Sequence, residues 1–102
     1  MHMLFVRFPL PGYGASVEVV DALVESVGHD VDDALFDLGA DICGIETGPD
    51  EVVLEIEMPP NDEVHSRVLD CLQQVCKRKC ADRGVVAELG RPDGTREVLW
   101  QQ

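Results

Sequence analysis

The chain has 102 residues, 45% of them hydrophobic, and a formal net charge of −12 from 20 acidic and 8 basic residues. This length and composition predict one globular domain, residues 1–102, with a single core, and exclude a disordered chain. No apolar run approaches the roughly 20 residues of a membrane span, and no signal peptide is recognisable, so we expect a cytoplasmic protein whose cysteines are reduced.

Strand and helix signals alternate in the first part of the chain. Residues 3–8 (MLFVRF) favour a strand, and the residues after it, rich in Pro and Gly, favour a loop. Ser16 is the expected N-cap of a helix with apolar residues at helical spacing. Gly28 is expected to interrupt this helix, and Asp30 to cap a second short piece whose buried stripe is Val31, Ala34, Leu35 and Leu38, with Gly39 as C-cap.

Two further strands are predicted next, at residues 41–46 (DICGIE) and 51–58 (EVVLEIEM), with the turn TGPD between them. In the second strand, alternation with a period of two predicts an inward apolar face and an outward acidic face. Asn61 or Asp62 should cap a helix that continues to about Asp82 and ends among basic residues, as the helix dipole favours.

A terminal hairpin is predicted from strands at residues 85–89 and 95–100, with the turn GRPDG between them. The element order is strand, helix, strand, strand, helix, strand, with one closing strand. We therefore predict the α+β class and a ferredoxin-like split βαβ arrangement (βαββαβ) with an extra C-terminal strand.

The stretch CLQQVCKRKC places three cysteines in the predicted second helix. Helical geometry predicts that Cys71 lies on the buried arc and that Cys76 and Cys80 lie on a flanking strip. Neighbouring cations can lower a thiol pKa, so Cys76 and Cys80 are possible reactive thiols, although inert structural cysteines would give the same pattern. No CxxC pair occurs and zinc requires four ligands, so no metal site is expected.

No catalytic signature is recognisable elsewhere. His29 and His65 have acidic neighbours, but without a positioned nucleophile or water each is expected to be a surface helix residue. The chain lacks a nucleophile elbow, a phosphate-binding loop and a dinucleotide fingerprint. We therefore expect a protein that is not an enzyme and has no cofactor. Trp100 could be either a lid on the core or an anchor for a partner.

The two ends of the chain, MLFVRFPLPGYG and VVAELGRPDGTREVLW, resemble the first strand and terminal hairpin of small, acidic, uncharacterised bacterial proteins with a similar element order. The segment DALFDLGADICGIETGPDEVVLEIE is similar to theirs in the spacing of acids, glycines and the turn. Proteins of this size and charge include immunity proteins, which neutralise a toxin. The resemblance implies an immunity-like binding function; it transfers no catalytic residue and does not include the cysteines.

The negative charge is concentrated in the first two thirds of the chain. Residues 1–66 carry a net charge of −14, and residues 67–102 carry +2. Such a field repels nucleic acid and membranes and attracts basic surfaces, although a highly soluble surface alone would have the same composition. The expected partner is a basic protein, either a toxin or a nucleic-acid enzyme, and the chain could also form a homodimer.

The leading hypothesis is a non-catalytic acidic binding protein, either an immunity protein or an inhibitor that mimics nucleic acid. Its carboxylates would stand where phosphates otherwise lie. The candidate partner-binding residues are Glu51, Glu55, Glu57, Asp62, Glu63, Asp30 and Asp33. The alternative is a small-molecule or thiol-redox sensor domain that uses Cys76 and Cys80.

Overall fold

The computed structural model describes residues 2–102, which fold into one five-stranded sheet and three α-helices. The predicted α+β class is confirmed. The strands are β1 (His2–Pro9), β2 (Asp41–Thr47), β3 (Glu51–Met58), β4 (Val86–Gly90) and β5 (Arg96–Gln101). The helices are α1 (Leu10–Tyr13), α2 (Val17–Leu35) and α3 (Asp62–Arg78), and a 3-10 turn (Phe36–Leu38) follows α2.

The sheet has the strand order β2-β3-β1-β4-β5, and all neighbouring strands are antiparallel. This order differs from that of a four-stranded split βαβ sheet because β5 extends the sheet beyond β4. The predicted alternation in β3 is confirmed: Leu54, Ile56 and Met58 are fully buried, whereas Glu55 and Glu57 lie on the other face. The helices cover the face that carries the core residues of β1, β3 and β4.

Helix α2 is continuous, and the predicted break at Gly28 is wrong. A glycine inside a helix costs only about 1 kcal/mol relative to alanine, which the burial of the surrounding valines offsets. A Cβ atom at Gly28 would lie 3.5 Å from the Leu54 side chain, an ordinary contact distance, so the helix packs closely on the sheet here without requiring a glycine. Asp30 is consequently not a cap. Its carboxylate lies 3.2 Å from the Lys79 ammonium and 3.7 Å from the Arg78 guanidinium.

Helix α3 begins as predicted, because the Asn61 side chain accepts hydrogen bonds from two backbone N–H groups of the first turn. It ends at Arg78 rather than near Asp82. Cys80 lies beyond the helix with a φ of 55°, so it belongs to the loop that leaves the helix.

The buried arc of α3 is rotated from the predicted one. Cys76 is fully buried in the core and Cys71 is only half-buried, the reverse of the expectation. His65 is buried as well, where a surface position was expected. Its Nε2 atom lies 2.8 Å from the Pro59 carbonyl oxygen. Because the imidazole has this polar partner, it can be buried on the core-facing side of α3.

The acidic residues are concentrated on one side of the folded molecule. Thirteen of the 20 acidic residues and none of the 8 Lys and Arg residues lie between Val17 and Met58. This segment forms α2, β2 and β3, and α2 packs on those two strands. Helix α3 lies near β4 and β5, with Leu69 close to Leu89 and Leu99. One lateral half of the molecule is therefore strongly acidic.

Candidate protein-binding surface

A groove runs between α2 and the edge strand β2 in the acidic half of the molecule. We call it the α2–β2 groove; its volume is about 470 Å³. It is lined by Glu25, Gly28, His29, Asp32, Asp41, Ile42 and Ile45. An apolar floor with polar groups at its rim is the usual composition of a binding site in a protein.

A β-bulge in β2 builds the apolar floor of the groove. Residues three apart in a regular strand point to opposite faces of the sheet. The register shifts at Cys43, however, so that Ile42 and Ile45 lie opposite Ile56 and Leu54, both inward-facing residues of β3. Both isoleucines therefore reach the helix side of the sheet, where they are half-buried.

Phe36 lies beside the groove and is 85% exposed. It follows α2 directly and shares a shallow depression with Asp32, Gly39, Ala40 and Asp41, two of which also line the groove. An exposed aromatic ring of this kind is typical of a contact with another protein. Phe36 was not predicted as a site residue, although its position off the stripe formed by Val31, Leu35 and Leu38 was a usable signal in the sequence.

The carboxylates that line the groove, and their acidic neighbours in α2 and the 3-10 turn, have no cationic partner in the described part of the chain. Within residues 2–102, no ion pair involves Glu25, Asp32, Asp33, Asp37 or Asp41. All five side chains are exposed. Asp30, on the same helix, is instead paired with the end of α3. The groove therefore offers uncompensated negative charge next to exposed apolar surface.

The seven acidic residues predicted as a binding set lie in three separate places. Glu51, Glu55 and Glu57 lie on the sheet face opposite the helices, where Glu57 is the register partner of Asp41 at the groove. Asp62 and Glu63 lie in the first turn of α3. Asp30 and Asp33 belong to α2. The residues that line the groove include none of these seven, although Asp30 and Asp33 belong to the helix that forms one wall.

Some of these predicted residues are already paired within the protein. The Arg7 guanidinium lies 2.5 Å from a Glu51 carboxylate oxygen and 2.6 Å from one of Glu88. These bonds, the one with Glu88 first, raise the pKa of Arg7. Glu63 lies 3.2 Å from Arg67. A partner would have to compete with these cations, whereas it would not at the groove.

The open sheet face has cations of its own. The Arg96 guanidinium lies 4.2 Å from the centre of the Phe5 ring, a favourable cation–π distance. Together with Arg7 it places positive charge over the middle of this face. Trp100, by contrast, is half-buried against the core, which favours its interpretation as a lid.

The two candidate thiols differ in environment. Cys76 is fully buried, and its burial raises its pKa to about 12. Cys80 is exposed in the loop after α3. All four cysteines are free thiols, and within residues 2–102 no three His, Cys, Asp or Glu side chains are grouped as metal ligands. Burial and a raised pKa make Cys76 a poor nucleophile.

The fold and the groove define an α+β protein with an acidic surface that has an apolar centre. No protein-family model matches the chain, and the search of curated proteins found no match to it. No helix in the described part of the chain has both the length and the apolar character needed to cross a membrane.

Proposed function

We propose that this chain is a non-catalytic cytoplasmic binding protein that covers a basic surface on a partner protein through the α2–β2 groove and Phe36. One observation carries the proposal: an almost fully exposed aromatic ring lies beside an apolar groove whose carboxylates have no ion-pair partner within residues 2–102. The partner classes that fit are a toxin, which makes the chain an immunity protein, and a nucleic-acid enzyme, which makes it a nucleic-acid mimic.

The parts of the surface have different tasks in this proposal. Uncompensated carboxylates speed the encounter with a cationic partner, and this effect weakens as salt increases. Phe36 and the floor formed by Ile42 and Ile45 supply the buried apolar contact that slows dissociation. The carboxylates of Asp32 and Asp41 take the place of phosphates on a partner that normally binds nucleic acid.

We further propose that the fold is a ferredoxin-like split βαβ arrangement extended by one strand. Two observations support this interpretation. Strand β1 lies between β3 and β4, and β2 lies at the edge next to β3. Both long helices pack on the same face of the sheet. The other face and the edge of β2 stay available for contacts.

The test is capture of the partner from host extract on the immobilised protein at low and high salt. We expect a stoichiometric basic protein that is lost as salt increases. With that purified partner, Phe36→Ser should weaken binding by at least about tenfold, because truncation of an interface anchor typically costs 2 kcal/mol or more. Asp32→Asn together with Asp41→Asn should mainly slow association.

Val98→Ser is the matched control, because Val98 is 53% exposed but lies on β5, at the opposite edge of the sheet. We expect this variant to bind within about twofold of the wild type, as energetically neutral positions do. Capture of no basic protein at low salt would contradict the proposal. Equal effects of the Phe36 and Val98 variants would show that the surface is wrongly placed.

A further inference from the structure

We propose that the free edge of β2 binds an extended basic segment of the partner as an added β-strand. This inference rests on the proposed function and names the part of the partner that is recognised. In such β-augmentation, backbone hydrogen bonds supply affinity and alternate side chains supply specificity.

The edge of β2 is available for this pairing. Strand β2 is the last strand of the sheet and, within residues 2–102, pairs with β3 alone. Half of the peptide groups of such a strand point away from its only neighbour. The bulge at Cys43 limits the regular part of the edge to Gly44–Thr47, whose register with β3 is continuous. The site therefore suits a short segment of about four or five residues.

The surroundings of this edge specify the side chains of the segment. Alternate residues of an added strand would point to the helix side, where Ile45 and the rest of the groove floor offer apolar contact. The residues between them would point to the open face, where Glu46 on β2 and Glu55 on β3 lie opposite no cation in the described part of the chain. A segment that alternates apolar residues with Lys or Arg satisfies both sides.

A second copy of the chain suits this edge less well. Pairing of two β2 edges over Gly44–Thr47 would bring the Glu46 side chains of the two copies close together on the open face. Like charges on directly neighbouring strands are destabilising. The charge at the edge therefore favours a basic partner segment over self-association.

The test compares two synthetic peptides on the intact 15N-labelled protein at low salt. The first is acetyl-Val-Lys-Val-Lys-Val-Lys-amide, and the second has the same sequence with an N-methyl group on each residue's peptide nitrogen. Both peptides carry the same charge, but no residue of the second can donate a backbone hydrogen bond from either edge of the strand. We expect the first to bind at least about tenfold more tightly, since each lost bond costs about 1 kcal/mol.

The location of binding is read from amide chemical shifts and hydrogen exchange. We expect the largest shifts and new protection at residues 44–47. Glu46→Gln should weaken the first peptide severalfold, whereas Glu97→Gln should leave its affinity unchanged. This control changes the net charge equally, but on the other edge strand β5, where Glu97 is paired with Arg91.

Equal affinity of the two peptides would overturn strand addition. So would shifts confined to Phe36 and the groove carboxylates, an outcome that leaves the proposed function standing. Absence of binding by either peptide also overturns strand addition. Failure of the proposed function itself is recognised separately, by the absence of a basic captured partner or by an unaffected Phe36→Ser complex.

Discussion

Burial raises the pKa of two side chains, Cys76 in α3 and Tyr13 in α1. Cys76 has three cations near it in sequence, which would suggest an activated thiol. The fold turns its side chain into the core and leaves Cys80 outside the helix. Tyr13 is similar: its hydroxyl donates a 2.7 Å hydrogen bond to the Ala81 carbonyl, and its burial raises its pKa to about 12. Both groups stay protonated in the folded protein at neutral pH.

The raised pKa of Cys76 predicts a loss of stability at alkaline pH. The unfolded thiol ionises near its ordinary value of 9.0, whereas the folded thiol ionises only near 12. Above pH 9 the unfolded state therefore binds fewer protons, and the free energy of unfolding falls by up to about 1.4 kcal/mol per pH unit for this group, until about pH 12. Urea unfolding between pH 8 and about pH 10.5 measures the slope.

Cys76→Ala should reduce that slope, and Val75→Ala, which also removes packing from the core but no titratable group, is the matched control that should preserve it. Tyr13→Phe removes the corresponding contribution of the phenol, which begins near pH 10. An unchanged slope in Cys76→Ala would show that this thiol does not titrate differently on folding. The slopes are compared rather than the absolute stabilities, because both alanine variants lose packing in the core.

Among the helices and strands, β3 and the start of α3 were predicted correctly from local sequence patterns. The alternation in β3 and the cap at Asn61 predicted their elements well, because each depends on contacts within a few residues. The continuity of α2 through Gly28 was not predictable in that way, since it depends on packing against Leu54. The exposure of Phe36 likewise depends on how the chain leaves α2. The helical segment of α2 and the strand β2 were therefore predicted from the sequence, but the groove between them was not.

Two glycine-to-alanine substitutions should have opposite effects on stability. At Gly28 the new Cβ would make ordinary contacts, 3.5 Å from Leu54 and 3.8 Å from Ile42. Helix propensity then dominates, and the free energy of unfolding should increase by about 0.5–1 kcal/mol. At Gly90 the Cβ would lie 2.8 Å from the Phe5 ring, so stability should fall by about 1–3 kcal/mol.

Urea unfolding of both variants and the wild type provides the measurement, with equal m-values as the check that only stability has changed. Gly90→Ala should in addition disturb the stacking of Arg96 on Phe5. A destabilised Gly28→Ala would mean that α2 cannot accept even one methyl group against the sheet. A neutral Gly90→Ala would mean that the Phe5 ring moves aside freely.

For the whole molecule, the partition of charge links the fold to the proposed function. The order of elements places the segment without cations in α2, β2 and β3, so cations can reach its carboxylates only from other elements. Within residues 2–102, Glu51 of β3 is paired with Arg7 of β1, and in α2 only Asp30 is paired, with the cations at the end of α3. A surface kept negative in this way repels itself, and that repulsion is relieved when a basic partner binds.

This self-repulsion predicts that salt stabilises the unbound protein. Screening of like charges should increase the free energy of unfolding by about 1 kcal/mol between low ionic strength and roughly 0.5 M sodium chloride, because the Debye length falls from about 30 Å at 0.01 M to below about 8 Å over this range. Thermal or urea unfolding across this range provides the measurement. The triple variant Asp32→Asn, Asp33→Asn, Asp41→Asn should be more stable at low salt and less salt-dependent.

The matched control for that variant removes a paired charge instead of free ones. Glu63 lies 3.2 Å from Arg67 on α3, so Glu63→Gln should leave the salt dependence of stability close to that of the wild type. If salt destabilised the wild type, attractive pairs such as Asp30 with Lys79 would outweigh the repulsion. The charges of the acidic half would then be balanced within the fold, and binding of a basic partner would not be favoured by a loss of repulsion between carboxylates.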